Sequence, residues 1–410
     1  LSSFNLSAFI FVRLAVVLSH PIQYYSPWFR FLAAHGFDGL RVFYLWDGGV
    51  TEQLDRGFGV AVKWDVPLLE GYDHEFVPNV SRHPGTSGWR GLDNPALSGR
   101  LAAFKPDAIL LFGYNYKTHY RLLFSKLRRR IPILFRGDSH RLPQAGSRER
   151  GRFNEVLRQR WISFVYRRFD AFLYTGQANK SYFQIHGVPD EKLFFCPHAV
   201  DNERFFAQAQ SASEEAAKWK ASLGIASDQK VVLFAGKFEA KKRPRDLVAA
   251  FKQAQMKDTV LLLVGNGEQE EALKQDAAGR TDIVFAPFQN QTQMPRTYAM
   301  GDVFVLPSFG RGETWGLAVN EAMCLGRPII VSNHVGCAQD LVQPGRNGSV
   351  FSAGDVTALT AALREALADV GRLQTWGAQS QEIIQDYDYG HATGGVLAAL
   401  EFLKKQKQGK

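Results

Sequence analysis

Cysteine is scarce in this chain: only Cys196, Cys324 and Cys337, an odd number without metal-ligand spacing. That excludes a disulfide framework and predicts a reducing, cytoplasmic setting. None of the histidines falls in a His-Glu-x-x-His or similar pattern, so no zinc site is expected. There is no Gly-x4-Gly-Lys-Ser/Thr run, and Val264-Gly-Asn-Gly-Glu268 lacks the third glycine of the dinucleotide fingerprint. A P-loop nucleotidase or a nicotinamide-dependent oxidoreductase is therefore poorly supported. Long apolar runs are missing too. The stretch 4–18 is too short to span a bilayer, Arg13 interrupts it, and no small-residue cleavage site follows. The chain begins at Leu1 rather than Met, and the expectation is an irregular tail leading into a buried first strand over 14–19.

What is present is the composition of an ordinary globular protein, 45% hydrophobic and 22% charged, in 410 residues, enough for two domains. The net charge of +9 is uneven. Residues 117–168 hold fifteen Lys or Arg against Asp138, Glu149 and Glu155, a local excess of +12, and the rest is slightly acidic. Such a bias fits an anionic partner (a phospholipid surface, a lipid-linked pyrophosphate or nucleic acid) or else a solvated basic face. Within it, 152–168 reads as a basic helix with Phe153, Leu157, Trp161 and Phe164 near one side. That side either packs on a sheet or touches an anionic membrane.

Short apolar runs rich in β-formers alternate with helical segments, the pattern of parallel sheets covered by helices. Strands are expected at 14–19, 40–45, 108–112, 132–135, 171–174 and 193–196, then again at 231–235, 260–264, 283–286, 303–306 and 328–331. The Gly-, Pro- and aromatic-rich segment 46–90 breaks the rhythm and reads as ligand-facing loops. Near 207–217 the composition shifts to Ala, Ser, Gln and Glu, which marks a domain connection. The expected architecture is α/β, two doubly wound domains with a cleft between them at the strand C-terminal ends.

Chemistry concentrates in the second half. Arg311-Gly-Glu313-Thr314-Trp-Gly316-Leu317-Ala-Val-Asn-Glu321 carries two carboxylates eight residues apart around a helix start. Eight helical residues rise about 12 Å, too far for paired glycosidase carboxylates, which need roughly 5–9.5 Å. The spacing suits two acceptors gripping the ends of an elongated hydroxyl-rich ligand, whose middle lies near the amides of Gly316 and Leu317. A nucleotide-sugar has that shape; a charged loop before a solvated helix is the plainer reading. After the strand ending at Ala235, Gly236 permits a turn, and Lys237 and Lys242 can converge on one anion such as a diphosphate leaving group. Solvated lysines are the alternative. Phe288, after the next strand, either frames a nucleobase or belongs to the core.

Residues 230–351 resemble the donor domain of retaining GT-B glycosyltransferases of family 4 (glycosyl transferases group 1). The resemblance rests on Gly236-Lys237 with Lys242, Val264-Gly265-Asn-Gly-Glu268, Tyr298-Ala-Met-Gly-Asp-Val-Phe-Val-Leu-Pro-Ser308, the Glu313/Glu321 pair with Asn320-Glu-Ala-Met323, Gly326-Arg-Pro-Ile-Ile-Val-Ser332 and Gly345-Arg-Asn-Gly348. Pro197-His-Ala-Val-Asp-Asn-Glu-Arg-Phe205 is similar to the family's interdomain joint. The resemblance implies a GT-B fold of two Rossmann-like domains: 1–206 for the acceptor, 207–385 for the nucleotide-sugar, and 386–410 ending in a helix around 394–404 that returns to the first domain. It implies that Glu313 binds donor-sugar hydroxyls and Glu321 the ribose. Lys237 and Lys242 would neutralise the diphosphate, with Gly316, Leu317, Thr314, Gly236, Gly265 and Phe288 completing the donor site. Transfer would retain configuration, without a catalytic metal or other cofactor, from a UDP- or GDP-sugar to a glycan or lipid-linked acceptor.

The first half departs from the family pattern. His20-Pro-Ile-Gln23-Tyr24 stands where many members have a Gly-Gly turn, and Arg136-Gly-Asp138-Ser-His140 stands where many carry a histidine at the first position. His20, Gln23, Arg136, Asp138 and His140 are the expected acceptor- or sugar-binding residues, with His20 equally well a strand-end structural group. Two other functions stay open, a sugar-nucleotide 2-epimerase-like enzyme and a non-catalytic partner subunit of a transferase. Nucleic acid is not the expected partner.

Overall fold

The computed structural model describes residues 10–35, 37–55, 57–141 and 152–408. The expected tail over 1–9, Arg148 and Arg150 of the basic run, and the side chain of Phe153 lie outside the described residues. Nine strands form in the first half: β1 (Ile10–Leu18), β2 (Phe37–Tyr44), β3 (Gln53–Asp55), β4 (Val60–Val62), β5 (Asp73–Phe76), β6 (Ala108–Phe112), β7 (Ile133–Arg136), β8 (Ala171–Tyr174) and β9 (Leu193–Phe195). Six follow: β10 (Lys230–Ala235), β11 (Thr259–Val264), β12 (Ile283–Ala286), β13 (Val303–Leu306), β14 (Ile329–Ser332) and β15 (Gly348–Phe351). The first sheet has the order β5-β2-β1-β6-β7-β8-β9 and the second β12-β11-β10-β13-β14-β15, and every pairing within them is parallel.

Strands buried on both faces need apolar residues at every position. In β1, Leu14, Val16 and Leu18 enter one core while Ala15 and Val17 enter the other, as the two-residue period of a strand requires. The helix Tyr389–Gln408, longer than expected, places Ala392, Val396, Ala399 and Leu403 in the first of these cores. Trp28 Nε1 donates to Thr393 Oγ1 at 3.2 Å across the same contact. A separate core runs from Val200 to Ile384 around the second sheet.

Three expectations change. The first strand starts four residues early, at Ile10. The segment 46–90 is not all loop: Asp73–Phe76 adds an edge strand, and β3 and β4 form an antiparallel hairpin. The basic helix, Arg152–Tyr166, packs through Ile162, Val165 and Tyr166, while Leu157, Trp161 and Phe164 are exposed. The aromatic side that the period picked out therefore faces outward.

The domains meet at their strand ends. Arg136 is buried and donates from Nη1 to Cys196 O (2.7 Å) and from Nη2 to Pro197 O (3.1 Å), on the segment that leads into the second domain. Asn320 Nδ2 donates to His198 O at 3.0 Å. Gly176 lies so close to Asp340 that a Cβ there would come within 2.6 Å of Oδ2, and the Gln177 amide donates to that carboxylate (3.0 and 3.1 Å).

Burial pushes the Asp340 carboxyl up to about 6, against the hydrogen bonds from Gln177 and Tyr387 that favour its ionised form. A carboxyl whose folded pKa is raised contributes least once ionised, so its share of stability is lost as pH rises from about 4 to about 6. Asp340→Asn should match the wild type in urea denaturation at pH 4, and exceed it at pH 7.5 by on the order of 1–2 kcal/mol.

Candidate functional site

In each sheet the order reverses beside its first strand: β1 lies between β2 and β6, and β10 between β11 and β13. Loops leaving the strands on either side of such a point diverge and open a crevice, the usual ligand position in a doubly wound sheet. The second domain fills its crevice with the loops after β10, β11 and β13.

The loop after β10 needs glycine. Gly236 has φ +158°, Gly265 at the end of β11 has φ +145°, and a Cβ on Gly265 would stand 2.0 Å from Gly236 O. The two turns touch backbone to backbone, which presents Lys237 and Lys242 at the sheet edge. Asn266 binds the layer together: its Oδ1 accepts from the Phe288 amide (2.8 Å), its Nδ2 donates to Glu270 (2.9 Å), and its carbonyl accepts from Phe238 N (2.9 Å).

After β13, Ser308 Oγ donates to Glu313 Oε2 at 2.9 Å, and Lys242 Nζ makes an ion pair with the same oxygen. Glu313 is buried, so this charge sits in a shielded recess where its field is strong. Gly316 (φ +99°) then turns the chain into the helix Leu317–Cys324; a Cβ there would come within 2.9 Å of Val335. Glu321, one turn into that helix, accepts from Tyr298 Oη at 2.7 Å. Burial holds the Glu321 carboxyl above the usual range, opposed by hydrogen bonds from Tyr298 and Gln291 and the charge of Arg204. Glu313, Lys242, Thr314, Gly316, Leu317 and Glu321 thus share one edge of the second sheet, with Lys237 beside them.

Lys237 has a partner from the other domain. Its Nζ lies 2.7 and 3.0 Å from the Asp55 carboxylate and 4.8 Å above the Phe58 ring. Phe58 in turn meets Phe288 at 4.4 Å between ring centres, so Phe288 is half-buried against the strap rather than in the core. The β3–β4 hairpin is a strap across the cleft, extended by Asn290 Nδ2 donating to Lys63 O (2.6 Å) and the Thr292 amide donating to Asp65 (3.1 Å). Burial opposes ionisation of Asp55, yet the Lys237 contact and the amides of Phe58 and Gly57 hold its carboxyl below the usual range.

Asp138 also reaches the second domain: Thr314 Oγ1 donates to its Oδ2 at 2.6 Å, and His198 Nε2 lies 3.6 Å from the same oxygen. Burial disfavours the Asp138 carboxylate, but His198 and Thr314 outweigh it and hold the carboxyl well below its ordinary value. The Arg136 guanidinium donates to the carbonyls of Cys196 and Pro197 and lies 5.0 Å from the Trp28 ring, which fastens the joint, and it also lines the crevice of the first sheet, its Nε without a protein partner among the described residues. His20 is held by Ser19 Oγ (2.9 Å), and burial pushes its imidazole down to about 4. Gln23 is half-buried in the turn that follows. His140 is half-buried, with neither ring nitrogen hydrogen-bonded by protein among the described residues, and burial lowers its pKa. Among the described residues no group of three His, Cys, Asp or Glu is disposed to hold a metal.

Sequence reasoning missed Asp55, Phe58, Asn266, Tyr298 and Ser308 as site residues. The last three lie inside the motif runs, and only their contacts give them roles. Asp55-Arg-Gly-Phe-Gly59 reads as a turn, but its partner is 182 residues away.

Residues 215–383 match the family model described as glycosyl transferases group 1. The chain is 26% identical over 326 residues to the sulfoquinovosyl transferase SQD2 of Arabidopsis thaliana, covering 77% of this chain and 61% of that protein. It is 27% identical over 241 residues to a GDP-mannose-dependent alpha-(1-6)-phosphatidylinositol monomannoside mannosyltransferase of Mycolicibacterium smegmatis, covering 56% and 62%. The matched regions thus span about three fifths of the length of these curated relatives. Among solved structures, sucrose-phosphate synthase of Thermosynechococcus elongatus superposes with a TM-score of 0.70 at 20% identity, covering 97% of this chain and 98% of that one. Anabaena HepE in complex with UDP and glucose superposes with a TM-score of 0.68 at 17% identity, covering 97% and 100%. The fold is therefore that of GT-B glycosyltransferases, two Rossmann-like domains facing across a cleft.

A diphosphate reaching Lys237 competes with Asp55. A half-exposed ion pair is worth about 0.2–1 kcal/mol. Asp55→Asn should therefore tighten pyrophosphate binding by about two- to five-fold in calorimetry, an effect that disappears when Lys237→Met is added.

Proposed function

We propose that the protein is a glycosyltransferase that moves a sugar from a nucleotide-sugar to a hydroxyl acceptor with retention of configuration. The observation that carries this reading is the arrangement at the edge of the second sheet: Glu313 buried against Lys242 and Ser308, eight residues before Glu321, with the helix start at Leu317 between them. A donor laid along it places sugar hydroxyls at Glu313, the diphosphate at Lys237, Lys242 and the first helical amides, and the ribose at Glu321. As the bond from the anomeric carbon to the phosphate oxygen breaks, charge grows on the diphosphate, where the lysines and the helix dipole stabilise it. The acceptor oxygen bonds to the anomeric carbon on the same face, and its proton passes to the departing phosphate oxygen. No step calls on a metal ion.

The match to glycosyl transferases group 1 supports this reading, as do relatives that are a GDP-mannose-dependent mannosyltransferase and a D-inositol 3-phosphate glycosyltransferase. UDP- and GDP-sugars are the donors to try first. The phosphatidylinositol mannosyltransferases among the relatives favour a lipid-linked acceptor. So does the outer surface of the first domain. Trp161 lies 6.0 Å from Tyr120, Phe124 lies 6.1 Å from Phe164, and all but Tyr120 are exposed. Arg168 sits 4.7 Å above Phe124. Exposed aromatics ringed by arginines suit the interface of an anionic bilayer, though no helix of the described residues is long and apolar enough to cross one. Retention at such a surface would place the enzyme beside a lipid-linked substrate.

A thermal-shift panel of UDP, GDP, ADP and dTDP with their sugar conjugates, run in EDTA, should show stabilisation by one nucleotide class. Stabilisation by none would shift the weight to a non-catalytic partner subunit, and release of an epimer without any acceptor would favour epimerase chemistry. Glu313→Ala should keep the fold and lower turnover by roughly 100-fold or more, because it removes a contact aimed at the reacting sugar. In flotation, the protein should rise with phosphatidylglycerol-containing liposomes at low salt and stay behind at high salt, and Trp161→Ala with Phe164→Ala should weaken the association. Absence of flotation at low salt would end the membrane reading.

A further inference from the structure

The strap formed by β3 and β4 belongs to neither main sheet. Its strands pair only with each other among the described residues, and a lone two-stranded hairpin is at best marginally stable in water. What holds it is the other domain. Among the described residues, every hydrogen bond that 53–65 makes outside itself runs there: Lys237 donates to Asp55, Asn290 to the Lys63 carbonyl and Thr292 to Asp65. The tip is shaped before it docks. Asp55 Oδ1 accepts from the amides of Gly57 (2.8 Å) and Phe58 (3.1 Å), and the Gly59 amide donates to the Asp55 carbonyl at 2.8 Å. This turn presents a carboxylate and an aromatic ring, three residues apart, to the second domain.

Where the two groups land is specific. Asp55 meets Lys237 at 2.7 and 3.0 Å, and Phe58 meets Phe288 at 4.4 Å between ring centres. Gly57 allows the approach: a Cβ there would stand 2.6 Å from Lys237 Cδ and would also overlap Glu239 Oε1. Phe58 and Phe288 are half-buried and lie outside the three apolar cores, so their contact is not core packing. A nucleoside diphosphate carries the same two chemistries, an anion joined to an aromatic ring. Lys237 and Phe288 are the groups expected to receive them. The two rings touch, so no base fits between them. The Asp55 carboxylate stands where a phosphate oxygen would meet Lys237.

We propose that the strap is a built-in imitation of the donor nucleotide, Asp55 for the diphosphate and Phe58 for the base, which blocks the site until a nucleotide displaces it. The inference rests on the reading of this edge as the nucleotide-sugar site. Affinity for any ligand of the edge is then the intrinsic affinity reduced by the fraction of molecules whose strap is open. Loosening the strap at a point the ligand never touches therefore tightens binding. Phe58 and inorganic pyrophosphate are such a pair, since pyrophosphate carries no ring to meet Phe288.

The test is calorimetry on the full chain with inorganic pyrophosphate and with UDP, GDP, ADP and dTDP. Phe58→Ala should tighten pyrophosphate binding about two- to ten-fold, the worth of one aromatic pair. Gly57→Val should tighten it as well, although it adds bulk beside Lys237, because that bulk drives the strap off. The nucleotide that binds the wild type should gain in the same direction in both variants. Hydrogen exchange over 53–62 in the wild type should quicken when pyrophosphate or that nucleotide is added, because a released hairpin is left to its own stability. Thermal melting checks that the variants fold, and the wild-type exchange decides the matter if they do not. Unchanged or weaker pyrophosphate binding in the folded variants, or exchange over 53–62 that slows with ligand, would overturn the proposal and leave the donor reading intact. Binding of none of the four nucleotides to the wild type or to either variant would overturn the donor reading and the proposal with it.

Discussion

In both sheets the strands run parallel, so their C-terminal ends lie on one edge, and the two edges face each other across the cleft. The candidate site residues gather along those edges, and they stay together only while the edges stay in register. That register depends on a few directional contacts. Arg136 grips the carbonyls of Cys196 and Pro197, Asn320 grips the carbonyl of His198, and Thr314 donates to Asp138. Hydrogen bonds are weak in net energy but exact in geometry, so they set the spacing while the apolar cores supply the stability.

Charge follows the same geometry. Lys237 and Lys242 sit in a recess without being stranded there, because each has a carboxylate partner: Glu313 for Lys242 and Asp55 for Lys237. The two pairs differ in origin. Glu313 belongs to the same domain as its lysine, while Asp55 arrives on a strap from the opposite domain. The position of the strap and that of Lys237 are therefore coupled through one ion pair, which is how a long loop on one domain can influence a side chain on the other.

The crevice at the switch point of the first sheet is lined differently: Arg136 and Asp138 bring charges of both signs beside His119, Thr175 and His198, whereas the second domain holds Lys237 and Lys242 each against a carboxylate. The two crevices face each other across the residue pair Asp138 and Thr314.

Much of this was legible in the chain itself. Apolar runs of four to six residues with helical spacers specify parallel sheets, because strands buried on both faces admit no polar positions. Gly236, Gly265 and Gly316 mark turns that no other residue accommodates, and the Glu313 to Glu321 spacing marks a helix start between two carboxylates. Such features are local, so composition and spacing carry them. The outward turn of Trp161 and Phe164, the fate of Arg136 as a fastening, the capture of Lys237 by Asp55 and the convergence of His119, Thr175 and His198 are not local. They depend on which surfaces meet after the chain has folded: helical period identifies a face but not what it faces, and a pair separated by 182 residues leaves no trace in either neighbourhood.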